Sequence, residues 1–235
     1  QYAAKVIHAP VEYIDTMQVS LAQHVKHIRC LKESIALMDK EIALNLAQTQ
    51  GAFLTSVRGI GLVLAAGVTA EIGDPNEQKP LNHLASYAGI VPRVKQTGGL
   101  EGKTYTGPVA KRCNRILKDY VVKSAYHLGW HGPQNLMEDY KRRDATGQHA
   151  NFGIGRRYLR MAMNLMRTSQ VYLPPNLRDG GYTLEDRARY YLKAWPYLRD
   201  KWKKVGALEA AFASNRPLGL WRRIVQEFYE IKLKL

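Results

Sequence analysis

A hydroxyl group lies between cations and glycines in the segment RVKQTGGL, residues 93–100. Phosphoryl transfer through a hydroxyl nucleophile requires a positioned oxygen and cations around the charge that develops on the phosphate. The same composition is typical of a structural or phosphate-binding turn, so the sequence leaves both interpretations open. The candidate nucleophile is Thr97, with Gly98 and Gly99 after it for close backbone approach and with Arg93 and Lys95 before it.

The charge of the whole chain indicates a polyanionic partner. Among the 235 residues, Lys and Arg outnumber Asp and Glu by 35 to 20, which gives a net charge of +15. The basic residues stand in several clusters between apolar ones, as on a folded surface, and DNA or RNA is the expected partner. No apolar run is long enough to span a membrane and no secretory signal is evident, so a cytoplasmic protein is expected.

A second candidate contact is the glycine pair in FLTSVRGIGLVLAAGVTAEIGDP, residues 53–75. An apolar turn, two glycines and a helix-forming run are the pattern of a helix-hairpin-helix. Free backbone N–H groups at the start of its second helix can hold a phosphate without reading a base. The alternative is a tight turn between two packed helices. The predicted contacts here are Arg58, Gly59 and Gly61.

Two further segments alternate basic and apolar residues at helical spacing. GPVAKRCNRILKDYVVKSA predicts a helix that starts at Pro108, the favoured first-turn position. Its spacing places toward a core Val109, Cys113, Ile116, Leu117 and Tyr120. RRYLRMAMNLMR repeats the arrangement. A solvated charged face is the other interpretation, but such faces usually mix both signs. The predicted nucleic-acid contacts are Lys103, Lys111, Arg112, Asn114, Arg115, Lys118, Arg156, Arg157 and Arg160.

Metal chemistry has little support in this chain, since no set of carboxylates stands at the spacing of a two-metal site. His127 and His131 are four residues apart and are interpreted as a surface pair. No metal and no cofactor are predicted for these 235 residues. Aromatic residues among the basic segments, such as Tyr126 and Trp130, are expected to pack in the core more often than to stack on bases.

The elements that must position these residues are all helical. Apolar residues recur at alternating steps of three and four from Ile14 to Asn45, which predicts a heptad seam that either dimerises or packs as one arm of a helical hairpin. Residues 93–107 are expected to form a loop, and Pro196 to interrupt a helix over 184–205. The seam consists of Ile14, Met17, Leu21, His24, Ile28, Leu31, Ile35, Met38, Ile42 and Asn45.

Four ordered blocks of this sequence resemble the C-terminal domain of the insertion-sequence transposases of the one-ten, one-sixteen and nine-oh-two group. The blocks are VRGIGLVLAAGVTAEIGD, LASYAGIVPRVKQTGG, GPVAKRCNRILKDYVVKSA and GQHANFGIGRRYLRMAMNLM, within about residues 54–172. The resemblance implies a longer protein, with an N-terminal RuvC-like domain that binds Mg²⁺, then a coiled coil, then this domain. It also implies a structured guide RNA and a catalytic serine in the C-terminal domain.

Thr97 stands where the resemblance places that serine. A threonine at this position keeps the hydroxyl of serine and adds a methyl group. Two other positions depart from the family pattern: Cys113 replaces a glycine, and Lys118 replaces an arginine and loses its bidentate fork. The predicted organisation is a coiled-coil segment over 1–50, a transposase C-terminal helical domain over 51–176 and a helical extension over 177–235. The predicted function is DNA strand exchange through Thr97, and the alternative is a non-catalytic nucleic-acid-binding and oligomerisation module.

Overall fold

Helices make up nearly all of the secondary structure, which confirms the all-α fold class. The computed structural model describes residues 11–77, 80–96, 104–109, 112–146, 149–177 and 182–235, with the backbone alone at 11–16, 81, 92–96 and 104–109. The helices are α1 Val11–Leu46, α2 Leu62–Ile72, α3 Leu81–Tyr87, α4 Arg115–His131, α5 Gln134–Ala145, α6 Ala150–Thr168, α7 Leu184–Lys204, α8 Leu208–Ala211 and α9 Pro217–Phe228, with 3₁₀ helices at Gln50–Ser56 and Pro175–Leu177.

Helix α4 lies at the centre of the packing, against α2, α5 and α6. One face of it is apolar at helical spacing, and Leu117, Val121 and Leu128 are completely buried. Its neighbour α6 runs in the same direction, since Lys118 contacts Phe152 and a Cβ on Gly155 would lie 2.9 Å from a methyl group of Val121. The amino-terminal ends of α4 and α6 therefore lie on the same side of the molecule.

The expected loop over 93–107 is wrong for residues 93–96 and 104–107, which lie in two paired antiparallel strands. Strand β1, Pro92–Gln96, pairs with β2, Thr104–Val109, in a register that sets Gln96 opposite Thr104 and Pro92 opposite Val109. Pro108 therefore lies in a strand and does not begin a helix. A two-stranded sheet consists of edge strands, and an edge strand tolerates a missing backbone N–H.

Helix α1 presents its predicted seam to solvent. Met17, Leu21 and Leu31 are 57%, 66% and 62% exposed, and the helix joins the core only at its end, through Ala43 and Leu46. The described residues supply no second helix along the seam, so the hairpin-arm alternative is wrong for them. Pairing with another chain stays a prediction.

The C-terminal helices pack onto the same core as the rest of the chain. Trp202 of α7 is completely buried, and its indole N–H donates to the side-chain oxygen of Thr55 at 3.2 Å. The expected interruption at Pro196 is wrong, since α7 continues through it. The carbonyl that loses its helical partner there belongs to Leu192.

The sequence also predicts helices at about 81–88, from 134 to near 147, near 208 and over about 218–233, and these are confirmed with modest shifts in their ends. α3, α5 and α8 lie where the sequence placed them, α6 begins earlier, at Ala150, and α9 ends earlier, at Phe228. None of the helices among the described residues is long and apolar enough to cross a membrane.

Candidate nucleic-acid interface

The predicted contacts separate into two groups at opposite ends of α4. The glycine turn, residues 57–61, lies against the carboxyl end, where Gly59 approaches His127 and Gly132. The basic residues that precede and begin α4 lie at its amino end, beside the start of α6. From Arg115 to His127 the helix rises about 18 Å, at about 1.5 Å per residue. The fold thus brings the second group together with the α6 arginines and keeps the glycine turn apart from them.

The glycine turn needs glycine at position 59. Gly59 has φ +90°, and a Cβ there would lie 3.0 Å from the backbone oxygen of His127. Its N–H donates to the hydroxyl of Tyr197 at 3.2 Å. The predicted contact between this amide and a phosphate therefore competes with a hydrogen bond inside the protein.

Gly61 offers a more open approach to a phosphate. It is the N-cap of α2 with an ordinary φ of −83°, and no side chain caps the helix. A Cβ on Gly61 would meet no atom within 4 Å. The element before the turn is a 3₁₀ helix and not an α-helix, so the helix-hairpin-helix motif stays a prediction.

A cleft adjoins the glycine turn. Its volume is about 400 Å³, and it lies between the turn, the start of α5 and helix α7. Arg58 and Lys193, both exposed, contribute cations to its wall, while Tyr190 and Tyr197 contribute ring surface. Cations beside aromatic rings suit the phosphate and base of a nucleotide strand.

Asn114, a predicted nucleic-acid contact, caps the amino end of α4. Its side-chain oxygen accepts from the backbone N–H of Leu117 at 2.9 Å, which makes it the N-cap of α4. Its amide donates to a carboxylate oxygen of Glu71 at 2.6 Å and to the hydroxyl of Tyr87 at 2.9 Å. These bonds fix the first turn of α4 against α2 and α3, so Asn114 positions the basic residues beside it.

The basic residues around that cap are open to solvent to different degrees. Arg112 and Arg115 are exposed, whereas Lys118 is half-buried, with its ammonium 5.6 Å from the ring centre of Phe152. Because α4 begins at Arg115, Ile116 is 58% exposed, and the prediction that it faces the core is wrong.

The three predicted arginines of α6 have separate surroundings. Arg156 donates to the side-chain oxygen of Asn82 in α3 at 2.9 Å, and Arg157 donates to Asp139 in α5 at 2.5 Å. Arg160 lines a cavity of about 380 Å³ with two asparagines, Asn135 and Asn164. All three side chains remain exposed, which leaves N–H groups on their outer sides.

Asp139 is the buried carboxylate that organises this region, and sequence reasoning missed it. Arg142, Arg143 and Arg157 all bond to it, although the Asp139 side chain is only 5% exposed. Burial acts to raise its pKa, but the hydrogen bonds from the three arginines outweigh burial and lower the pKa to about 2.

Several predicted residues lie outside the described part of the chain. Arg93 and Lys95 belong to β1, whose backbone alone is described. Gln96 and Thr104 are a paired position of the hairpin and flank the segment that holds the candidate nucleophile. The predicted residues outside the described ranges are Thr97, Gly98, Gly99, Lys103 and Lys111.

No group of three or more metal-binding side chains converges among the described residues. The rings of His127 and His131 are 6.5 Å apart on the surface of α4. Tyr126 and Trp130 are 51% and 56% exposed, so the expectation that they pack in the core is wrong. Their position on the outer face of α4 adds two ring surfaces near the glycine turn.

We expect the two glycines of the turn to respond differently to alanine. Gly59→Ala should cost about 2 kcal/mol in the free energy of unfolding, because φ +90° is unfavourable for a residue with a Cβ. Gly61→Ala should cost less than about 1 kcal/mol, as its space is open and only the N-cap preference changes. Urea denaturation of both variants measures this, and equal losses would contradict the described turn.

Asp139→Asn should weaken the fold in a pH-dependent way. A carboxyl whose pKa is lowered from 3.8 to about 2 stabilises the folded state above about pH 4 and loses that contribution as the pH falls through 2. We therefore expect a loss of about 2 kcal/mol at pH 7 that shrinks toward pH 2.5, measured by urea denaturation.

The matched control for Asp139 is Asp119→Asn. Asp119 also pairs with a cation, Lys123, at 2.7 Å, but both side chains are more than half exposed. An exposed pair contributes about 0 to 1 kcal/mol, so this variant should change little at any pH. A similar response of the two variants would show that burial of the Asp139 cluster is not what matters.

Comparison with known proteins assigns a family to the middle of the chain. Residues 51–141 match the model of the Transposase IS116/IS110/IS902 family. A probable family 20 transposase of Pseudomonas aeruginosa is 29% identical over 101 residues, which are 42% of this chain and 28% of that protein. The chain thus spans little more than a quarter of the curated relative that it matches, and no solved structure matches it. The resemblance found in the sequence is confirmed for this segment: residues 51–141 match the IS116/IS110/IS902 transposase domain.

Proposed function

We propose that this chain is the coiled-coil and DNA-binding catalytic part of an RNA-guided insertion-sequence transposase, in which it takes part in DNA strand exchange. The observation that carries the proposal is the common placement of the amino ends of α4 and α6. This placement brings exposed cations together at one end of the molecule. Strand β1, which ends at Gln96, leads from the same part of the chain to the candidate nucleophile. These cations are Arg112, Arg115, Arg156 and the half-buried Lys118.

The two helix ends add to the charge of the side chains. The amino end of each helix carries about half a positive charge from its aligned peptide dipoles, and α4 and α6 direct theirs to the same side. The first turn of α6 has no side-chain cap, although the N–H groups of Phe152 and Gly153 donate to the carbonyl oxygen of His149. An anion at this end can therefore be held only by the N–H groups before Phe152. A phosphate backbone laid across this end meets both sources of positive potential.

The glycine turn supplies a second contact about 18 Å away along α4. That distance is a little over half of one turn of B-DNA, which is about 34 Å. One duplex is therefore long enough to reach both groups. These contacts would position the nucleic acid, and base pairing with an RNA would select the sequence.

Thr97 is the proposed nucleophile. Its hydroxyl oxygen forms a bond to a DNA phosphorus while the bond from that phosphorus to a deoxyribose oxygen breaks. The threonine proton passes through solvent or a base to that deoxyribose oxygen. The reaction exchanges one phosphodiester for another, so the joined strand retains its bond energy. Arg93, Lys95, Lys111 and Arg112 would stabilise the negative charge on the phosphate.

The full reaction would require parts that the resemblance places outside these 235 residues. The implied RuvC-like domain would hold Mg²⁺, for which the described residues of this chain offer no converging ligand set. The exposed seam of α1 would join copies of the chain, because a row of apolar side chains that remains half or more exposed is a usual site of helix pairing.

The second candidate function is a binding and oligomerisation module without catalysis. The exposed α1 seam and the exposed cations favour it as much as they favour the first, since both are interaction surfaces. In that case the chemistry belongs entirely to the implied RuvC-like domain.

The test compares DNA recombination by the chain joined to its RuvC-like domain and guide RNA, with Thr97, Thr97→Ser and Thr97→Ala. We expect serine to match or exceed threonine, since it lacks the crowding methyl group, and alanine to lose about 10³-fold or more in rate at unchanged DNA affinity. Thr168→Ala, at an exposed threonine of α6, is the matched control and should leave recombination unchanged.

Two results would decide against catalysis by Thr97. Equal recombination by all three proteins would reduce the segment to a phosphate-binding turn. A parallel fall in DNA affinity and recombination for Thr97→Ala would favour the binding module.

A further inference from the structure

The ammonium of Lys201 lies among backbone carbonyl oxygens of the 3₁₀ helix Gln50–Ser56 and of the glycine turn. Its Nζ donates to the oxygens of Thr55 at 2.5 Å, Val57 at 3.1 Å and Ile60 at 2.6 Å. A lysine ammonium has three donors and no acceptor, so these contacts use its full capacity. Lys201 thus differs from the solvent-exposed lysines Lys203 and Lys204 in the same turn of α7.

The surroundings of this ammonium would stabilise any small monovalent cation. The Lys201 ammonium lies over the face of the Tyr197 ring, with 4.2 Å between Nζ and the ring centre. The face of an aromatic ring carries partial negative charge and attracts a cation. None of the salt bridges among the described residues involves Lys201, so oxygen and π-electron dipoles alone balance its charge. Burial lowers the pKa of Lys201 to about 7, while the carbonyl oxygens act in the opposite direction by stabilising the charged form.

Carbonyl oxygens that converge on one point repel one another unless a cation lies between them. The oxygens of Thr55, Val57 and Ile60 come from the end of the 3₁₀ helix and from the glycine turn itself, so their convergence is part of the shape of the turn. Rings of backbone carbonyls are also the ligands that replace the hydration shell of K⁺. An ammonium group and K⁺ carry the same charge and are similar in size.

We propose that the carbonyl oxygens of Thr55, Val57 and Ile60 form a monovalent cation site, which the Lys201 ammonium fills as a cation built into the chain. Lys201 is therefore a positioning residue for the glycine turn, supplied by a helix that lies outside residues 51–141. When the ammonium is removed, K⁺ takes its place. The proposal does not rest on DNA binding, because the site is formed by the protein alone.

The test measures thermal unfolding of the nucleic-acid-free chain in KCl and in tetramethylammonium chloride at equal ionic strength. We expect Lys201→Ala to unfold at a lower temperature than the wild type in both salts. We further expect KCl to raise the midpoint of Lys201→Ala by about 3 °C more than it raises that of the wild type, since K⁺ fits the site and tetramethylammonium does not. Lys204→Ala, an exposed lysine of the same helix, is the matched control and should respond to the salts as the wild type does.

Two outcomes would overturn the proposal. One is an equal stability of Lys201→Ala and Lys204→Ala, and the other is a salt response of Lys201→Ala that equals that of the wild type. If Lys201→Ala does not fold in either salt, reductive methylation of the native wild type decides. Although its lowered pKa gives Lys201 more free amine, enclosure by three carbonyls and the Tyr197 ring should make it react about tenfold or more slowly than Lys204, and equal or faster reaction would contradict the enclosed site.

Discussion

The burial of α4 is the constraint on which the rest of the structure depends. Its apolar face is covered by α2, α5 and α6 together, and each of these contacts fixes one part of the candidate interface. The cap at Asn114 sets where the helix begins and so which way Arg115 points, while the backbone at His127 receives the glycine turn at the other end. Because one rigid helix spans both groups, their separation is fixed, and the cations need not be gathered from mobile loops.

Sequence periodicity predicted the helices but not the hairpin, for physical reasons. The segments that became α3 and α5 carry apolar residues at helical spacing and end at glycine or proline, which are local signals. Strands β1 and β2 have a polar composition without clear alternation, and seven residues separate them, more than in the short turns that signal a hairpin in a sequence. Pro108 suggested a helix start, but the residue that marks the start of α4 is Asn114. Its side chain accepts a hydrogen bond from the N–H of Leu117, three residues later, as an N-cap does.

The positive charge of the candidate site could be predicted from the sequence, but not which basic residues bond to groups inside the protein. The net charge of +15 is read directly from the sequence, yet part of the basic content works inside the protein. Arg157 bonds a buried carboxylate, and Lys201 bonds three backbone oxygens, although each stands in a run of basic residues that otherwise face solvent. Only the tertiary packing of α5 and α7 distinguishes them from their neighbours. The family resemblance, by contrast, rests on the order of several motifs and was recognisable without coordinates.

The central claim is that exposed cations at the amino ends of α4 and α6 hold nucleic-acid phosphates. The most direct measurement is the affinity of the chain for duplex DNA as a function of salt, with Arg112, Arg115 and Lys118 replaced together by alanine. Each phosphate contact contributes about −0.9 to the slope of log affinity against log salt, so this variant should lose close to three units of slope. A control variant with Lys203, Lys204 and Arg223 replaced should keep the wild-type slope. A wild-type affinity that does not change with salt, or equal losses in the two variants, would contradict the account.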